Sequence, residues 1–173
     1  MSWAFQEIPP LLPMKSELKA FFRSFTYAAE GIVNALRTER NMRFHACAAV
    51  TVIVFSRIYG LTRTENCIML LCIGLVIGAE LMNTAVEAAA DIMSQGEHSP
   101  EAKKAKDCGA GAVLVCAAVS AVCGIVLFGD VQRLGDTARW FAANPPACAA
   151  AAVWLAAAFV FIFGKRKGNI HGN

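Results

Sequence analysis

The sequence predicts an all-α integral membrane protein, with an N-terminal amphipathic helix at the membrane interface and four spans after it. Three observations carry this. Of 173 residues, 57% are hydrophobic and 17% charged, and the mean hydropathy is +0.49, high for a water-soluble chain. The charges are nearly absent from long apolar stretches and crowded into the short segments between them. Those stretches approach the roughly 20 residues a helix needs to cross a bilayer. A net charge of +3, small and scattered, gives no footprint for nucleic acid.

Each element follows in order. Met1 to Met14 contains Glu7, Pro9, Pro10 and Pro13, without a charged start or small-residue cleavage site, so it does not read as a signal peptide. Residues 15 to 44 predict an amphipathic helix, with Glu30-Gly31 its weak point. Phe21, Phe22, Phe25, Ile32, Val33 and Leu36 recur at helical spacing, edged by Lys15, Lys19, Arg23, Arg37, Arg40 and Arg43. An apolar stripe flanked by cations suits the membrane interface. Spans are expected at His45 to Leu61, Cys67 to Met93, Gly109 to Phe128 and Ala147 to Phe163. Ser99-Pro100-Glu101 predicts a helix start that runs on into the third span, since hydroxyl, proline and carboxylate are the residues a first turn favours. Asn144-Pro145-Pro146 must precede the fourth span or form its first turn. The seven cysteines are dispersed with no C-x-x-C pair, and read as small apolar contacts rather than disulfides or a metal site.

Orientation follows from basic residues. With the N-terminus inside, twelve of the 16 lie inside, and Arg57, Arg63, Arg133 and Arg139 lie outside. That excess favours the arrangement and makes the Ser94 to Glu101 loop cytoplasmic.

The second span changes character at its end. Glu80, Asn83, Thr84, Glu87 and Asp91 share one helix face at about 100° per residue. One such residue would read as a polar contact between spans. Several carboxylates with an asparagine on one face point to function, because charge inside a membrane is costly. A low-dielectric carboxylate suits taking a proton from an alcohol. Shallower carboxylates, with one from another segment such as Glu39, suit a hard cation carrying phosphates. Alone, Glu39 reads as an acid among arginines, Lys106 as a snorkelling cation, and His98 as a loop residue. No P-loop is present, for Gly164-Lys165 lacks the upstream glycine and the following Ser or Thr. From these residues a cation- or proton-coupled transporter fits as well as an enzyme.

Three ordered motifs separate the two. Glu80-Leu-Met-Asn83-Thr84-Ala-Val-Glu87-Ala-Ala-Ala-Asp91, then Ala105-Lys106-Asp107, and upstream Thr38-Glu39-Arg40-Asn41-x-Arg43-x-His45, resemble the prokaryotic diacylglycerol kinase and undecaprenol kinase family. The resemblance implies a surface helix, a three-span kinase core over residues 20–128, and a homotrimer with active sites between subunits. It implies Glu80 as general base towards the lipid hydroxyl, with Asn83 positioning the base or the γ-phosphate. It implies Glu39 and Glu87 as holders of Mg2+ on ATP, Lys106 on phosphate and Asp107 on the nucleotide. Tyr27, Glu97 and His98 match positions around the nucleotide, and Arg23 one near the substrate. The site would face the cytoplasm from a bacterial cytoplasmic membrane.

Phe22-Arg23-Ser24-Phe25 and Glu30-Gly31-Ile32 are similar to the Gram-positive-type branch, which implies undecaprenol as acceptor, with diacylglycerol the alternative. Ala90 departs from the family, where a branched aliphatic residue is usual. Residues 1–19 are expected to form a leading segment and the start of the interfacial helix. Residues 129–173 lie beyond the core, and read as an extracytoplasmic linker and an added fourth span ending in Lys165-Arg166-Lys167. A transporter would be expected to show a second polar, broken-helix half, which is missing. A non-catalytic scaffold would leave Glu80 and Glu87 without a reason.

Overall fold

A computed structural model describes residues 14–95, 97 and 99–164. Among the described residues there are six helices and no strand: α1 (Met14–Thr38), α2 (Arg40–Tyr59), α3 (Arg63–Met93), α4 (Pro100–Phe128), α5 (Val131–Ala143) and α6 (Pro145–Phe163). Four of them, α2, α3, α4 and α6, are long and apolar enough to cross a membrane. The expected all-α class with four spans is thus met. The leading residues up to Pro13 and the basic Lys165-Arg166-Lys167 lie outside the described residues.

The chain divides into two compact units between Asn34 and Ala35. In the first, α1 carries its aromatic residues together, with Phe21 and Phe25 ring centroids 5.0 Å apart and edge-on. These rings are exposed, as an interfacial helix requires. Glu30 and Gly31 do not interrupt it. The chain breaks instead at Glu39, which is extended (φ −95°, ψ 121°) and serves as N-cap of α2 without a side-chain cap bond. The first span helix therefore begins at Arg40, earlier than its apolar run suggests.

In the second unit, α3 and α4 pack most extensively, and α2 lies against α3 and against α6. The α2–α3 turn is locked locally. Gly60 caps α2 in the left-handed region (φ 78°), where only glycine avoids a Cβ clash. Thr62 and Glu65 form a reciprocal capping box for α3. Buried Ser56 donates to Asn66 Oδ1 at 3.3 Å, and Asn66 Nδ2 donates to the Leu61 and Thr62 carbonyls at 2.8 and 2.9 Å. Ser99 starts α4 as expected, accepting from the Ala102 amide at 3.2 Å, and Pro145 opens α6.

Helix α5 is the element that reading the sequence missed. Asp130 caps it by accepting from the Gln132 and Arg133 amides. Tyr59 Oη accepts from the Asp130 amide at 3.0 Å, and Arg133 pairs with Glu65 at 3.3 Å. The linker thus folds back on the α2–α3 turn. An N-capping Asp130 before Val131, Leu134, Ala138 and Phe141 was the available signal. The seven cysteines are free thiols.

Candidate active site

The polar face of α3 meets the starts of α2 and α4 at one end of the second unit. Glu80 is 2% exposed, and burying a carboxylate among apolar helices demands compensation. Its neighbours supply only part of it. His45 Nε2, from α2, lies 3.2 Å from Glu80 Oε1. The approach satisfies the distance of an ion pair, yet Oε1 accepts no hydrogen bond. The Glu39 and Glu87 carboxylates lie within electrostatic reach of Glu80. Acids from two segments thus act on Glu80, one from the α1–α2 break and one from α3 itself.

Asn83 sits one turn further along α3. Its Nδ2 donates to Glu87 Oε1 at 2.7 Å, orienting that carboxylate, while its buried Oδ1 is left without a hydrogen-bond partner. Oδ1 faces Gly109 of α4 so closely that a Cβ at residue 109 would collide with it. Small size at Gly109 is what lets α4 approach here. Thr84 turns back to donate to the Glu80 carbonyl at 3.0 Å, a bond within the helix.

Lys106 and Asp107 are on the first turns of α4, each already paired. Lys106 Nζ lies 2.5 Å from Asp91 Oδ1, and Lys103 Nζ lies 2.6 Å from Asp107 Oδ2. Lys103, Asp107 and Asp91 are exposed and Lys106 is half-buried, so each pair has a solvated side and is weak and exchangeable. Glu97 is exposed in the α3–α4 turn, its amide donating to the Ser94 carbonyl at 2.8 Å. His98 lies outside the described residues. Arg23 and Tyr27 stand about one turn apart on α1 in the first unit, both exposed. Among the described residues no three His, Cys, Asp or Glu side chains form a closed metal cluster.

The structure also brings in residues the sequence did not single out by role. His45 was visible only as the last letter of a motif, and Asp91 only as the end of the acidic face. Their partners, Glu80 and Lys106, are distant in sequence, and no periodicity could have joined them. His45 further lines an apolar groove of about 370 Å3 between α2, α3 and α4, running past Val76, Ile77 and Ala117 to Leu127 and Phe128.

Comparison with known proteins identifies the family. Residues 26–128 match the family described as prokaryotic diacylglycerol kinase, a stretch that ends with α4. The chain is 43% identical over 114 residues to the undecaprenol kinase of Bacillus subtilis, covering 66% of this chain and 92% of that protein. It is 38% identical over 101 residues to a diacylglycerol kinase of Synechocystis, covering 58% of each chain. A diacylglycerol kinase of Pseudomonas aeruginosa is 31% identical over 112 residues, covering 64% of this chain and 90% of that protein. No solved structure matches. A buried carboxylate within an apolar span and a family match over more than half the chain converge: the chain belongs to the prokaryotic diacylglycerol kinase family and is a membrane lipid kinase.

Proposed function

We infer that the chain transfers the γ-phosphoryl group of ATP to the hydroxyl of undecaprenol, giving undecaprenyl phosphate and ADP. The observation that carries this reading is Glu80, a buried acceptor without a hydrogen-bond partner, beside the end of an apolar groove. Such an acceptor suits a hydroxyl proton, and such a groove suits a hydrocarbon chain. In the reaction the lipid O–H bond breaks, its proton passes to the Glu80 carboxylate, and the oxygen bonds to the γ-phosphorus. The bond from that phosphorus to the β–γ bridging oxygen breaks, and ADP leaves. Transfer of this kind needs positioning and charge neutralisation more than covalent chemistry from the protein.

The other residues take roles around that step. Asn83 fixes Glu87 and sits beside the base. Lys106 exchanges Asp91 for a phosphate, and the resemblance to the family supports nucleotide roles for Asp107, Glu97, His98 and Tyr27. Arg23 belongs to the lipid side. For Mg2+, the donor set fits: Glu39 and Glu87 offer carboxylate oxygens from separate segments, and this ion needs only one or two carboxylates beside the phosphates. When bound it neutralises phosphate charge. The resemblance to the family also supports a homotrimer in a bacterial cytoplasmic membrane, and the basic excess supports a site facing the cytoplasm.

Undecaprenol leads because the relative of that name matches over 92% of its length. Diacylglycerol stays as the second acceptor because the Synechocystis and Pseudomonas relatives bear that name. Purified protein in lipid-detergent micelles with Mg2+ and γ-labelled ATP, offered both alcohols in parallel, decides between them. Label moving chiefly to undecaprenol is expected. Label moving chiefly to diacylglycerol would overturn the acceptor, and label on neither would overturn the reading.

A further inference from the structure

Helix α6 lies beyond the stretch that matches the family. It is nevertheless joined to the catalytic end of the unit. Cys47 of α2 is buried with Ala158 and Ile162 of α6, and Trp154 Nε1 donates to Thr51 Oγ1 at 2.9 Å. At the end of that contact stands Arg43. Its Nη2 donates to the Ile162 carbonyl at 3.3 Å, and its Nη1 donates to the Arg37 carbonyl at 3.2 Å. Both acceptors sit in the last turn of a helix, α6 and α1, where carbonyls lack partners within the helix and the dipole favours a cation. The planar fork of arginine suits two acceptors at once.

Glu39 forms the break between α1 and α2. Its amide donates to the Ala35 carbonyl at 2.8 Å, its carbonyl accepts from the Arg43 amide at 3.3 Å, and its side chain makes no cap bond. Its placement therefore depends on the backbone that Arg43 clamps. We propose that Arg43 is a positioning residue and α6 its anchor, together holding the backbone that carries Glu39 at the start of α2. Because the proposal rests on the kinase reading, with Glu39 at the nucleotide-bound cation, the readout must separate the two.

Full-length Arg43→Lys, Ala158→Leu and the double variant are compared in the labelled transfer assay. Ala158→Leu wedges α6 from α2 without touching the polar site. Each single change is expected to raise KM for Mg-ATP roughly tenfold, the scale of one charge-assisted hydrogen bond, while KM for the lipid stays put. The double variant is expected to be no worse than either single. An unmoved KM in Ala158→Leu would overturn the proposal alone and leave α6 a membrane span with no hold on Arg43. Additive losses would overturn it too, since Arg43 would then act on the nucleotide directly. If Ala158→Leu does not fold by circular dichroism, Trp154→Phe, which removes only the bond to Thr51, takes its place under the same criteria. No transfer by the unaltered chain would overturn the kinase reading and the proposal with it.

Discussion

Glu80 combines near-complete burial, an oxygen that accepts no hydrogen bond and two acidic neighbours, and its chemistry depends on all three. Glu80→Gln keeps the shape and removes the proton acceptor. Transfer is expected to fall by roughly a hundred- to ten-thousandfold, the usual worth of a general base, with helix content by circular dichroism unchanged. Retained activity would remove Glu80 from the role of base. Gly109 is the second residue on which geometry makes a demand. A methyl there meets Asn83 Oδ1, so Gly109→Ala must turn the amide that orients Glu87. A loss of roughly ten- to a hundredfold in kcat is expected from misplacement of this size, and unaltered kinetics would show that the amide rotates freely. At this scale the acidic face of α3 was legible, because residues three and four apart share a helix face. The closeness of Asn83 to Gly109 was not, because it joins two helices whose relative rotation no local rule sets.

Helix boundaries followed local chemistry wherever a cap was present. Ser99-Pro100 and Thr62 with Glu65 start α4 and α3 through bonds made within a few residues. The break at Glu39 was hidden because it has no capping side-chain bond to announce it. The joint between α2 and α5 carries the element-scale predictions. Tyr59→Phe removes the acceptor of the Asp130 amide, and about 1 kcal/mol of stability is expected to go with it. Gly60→Ala puts a Cβ into a left-handed residue, at about 1 kcal/mol. Thermal melting in detergent, followed by circular dichroism, measures both. Melting temperatures equal to the unaltered chain would show that the turn does not hold the far end of these helices.

Large apolar side chains remain exposed along α3 and α4, Leu71 at 68%, Leu114 at 70% and Val126 at 77% among them. In a single chain these faces need lipid or protein against them, since exposed apolar patches of this extent do not persist in water. A mass of three copies by light scattering with the detergent subtracted is the expected result. A single-copy mass with full activity would show that one chain holds a whole site. The second arm of the test is mixing. Glu80→Gln and Lys106→Met subunits, each inactive alone, should recover transfer when reconstituted together if the site is shared between subunits, and should recover none if each chain works by itself.

The residue pattern alone established membrane spans, their order and the acidic face, because hydropathy and helical period are properties of a chain read one segment at a time. It also carried the family, through motifs that lie in sequence order. Which partners those residues keep was settled only by packing. His45 against Glu80, Lys106 against Asp91, Gly109 against Asn83 and Arg43 against the end of α6 all join segments whose separation along the chain exceeds any local period. Such contacts depend on how helices are rotated and crossed, and that is decided by the summed fit of their faces rather than by any one stretch.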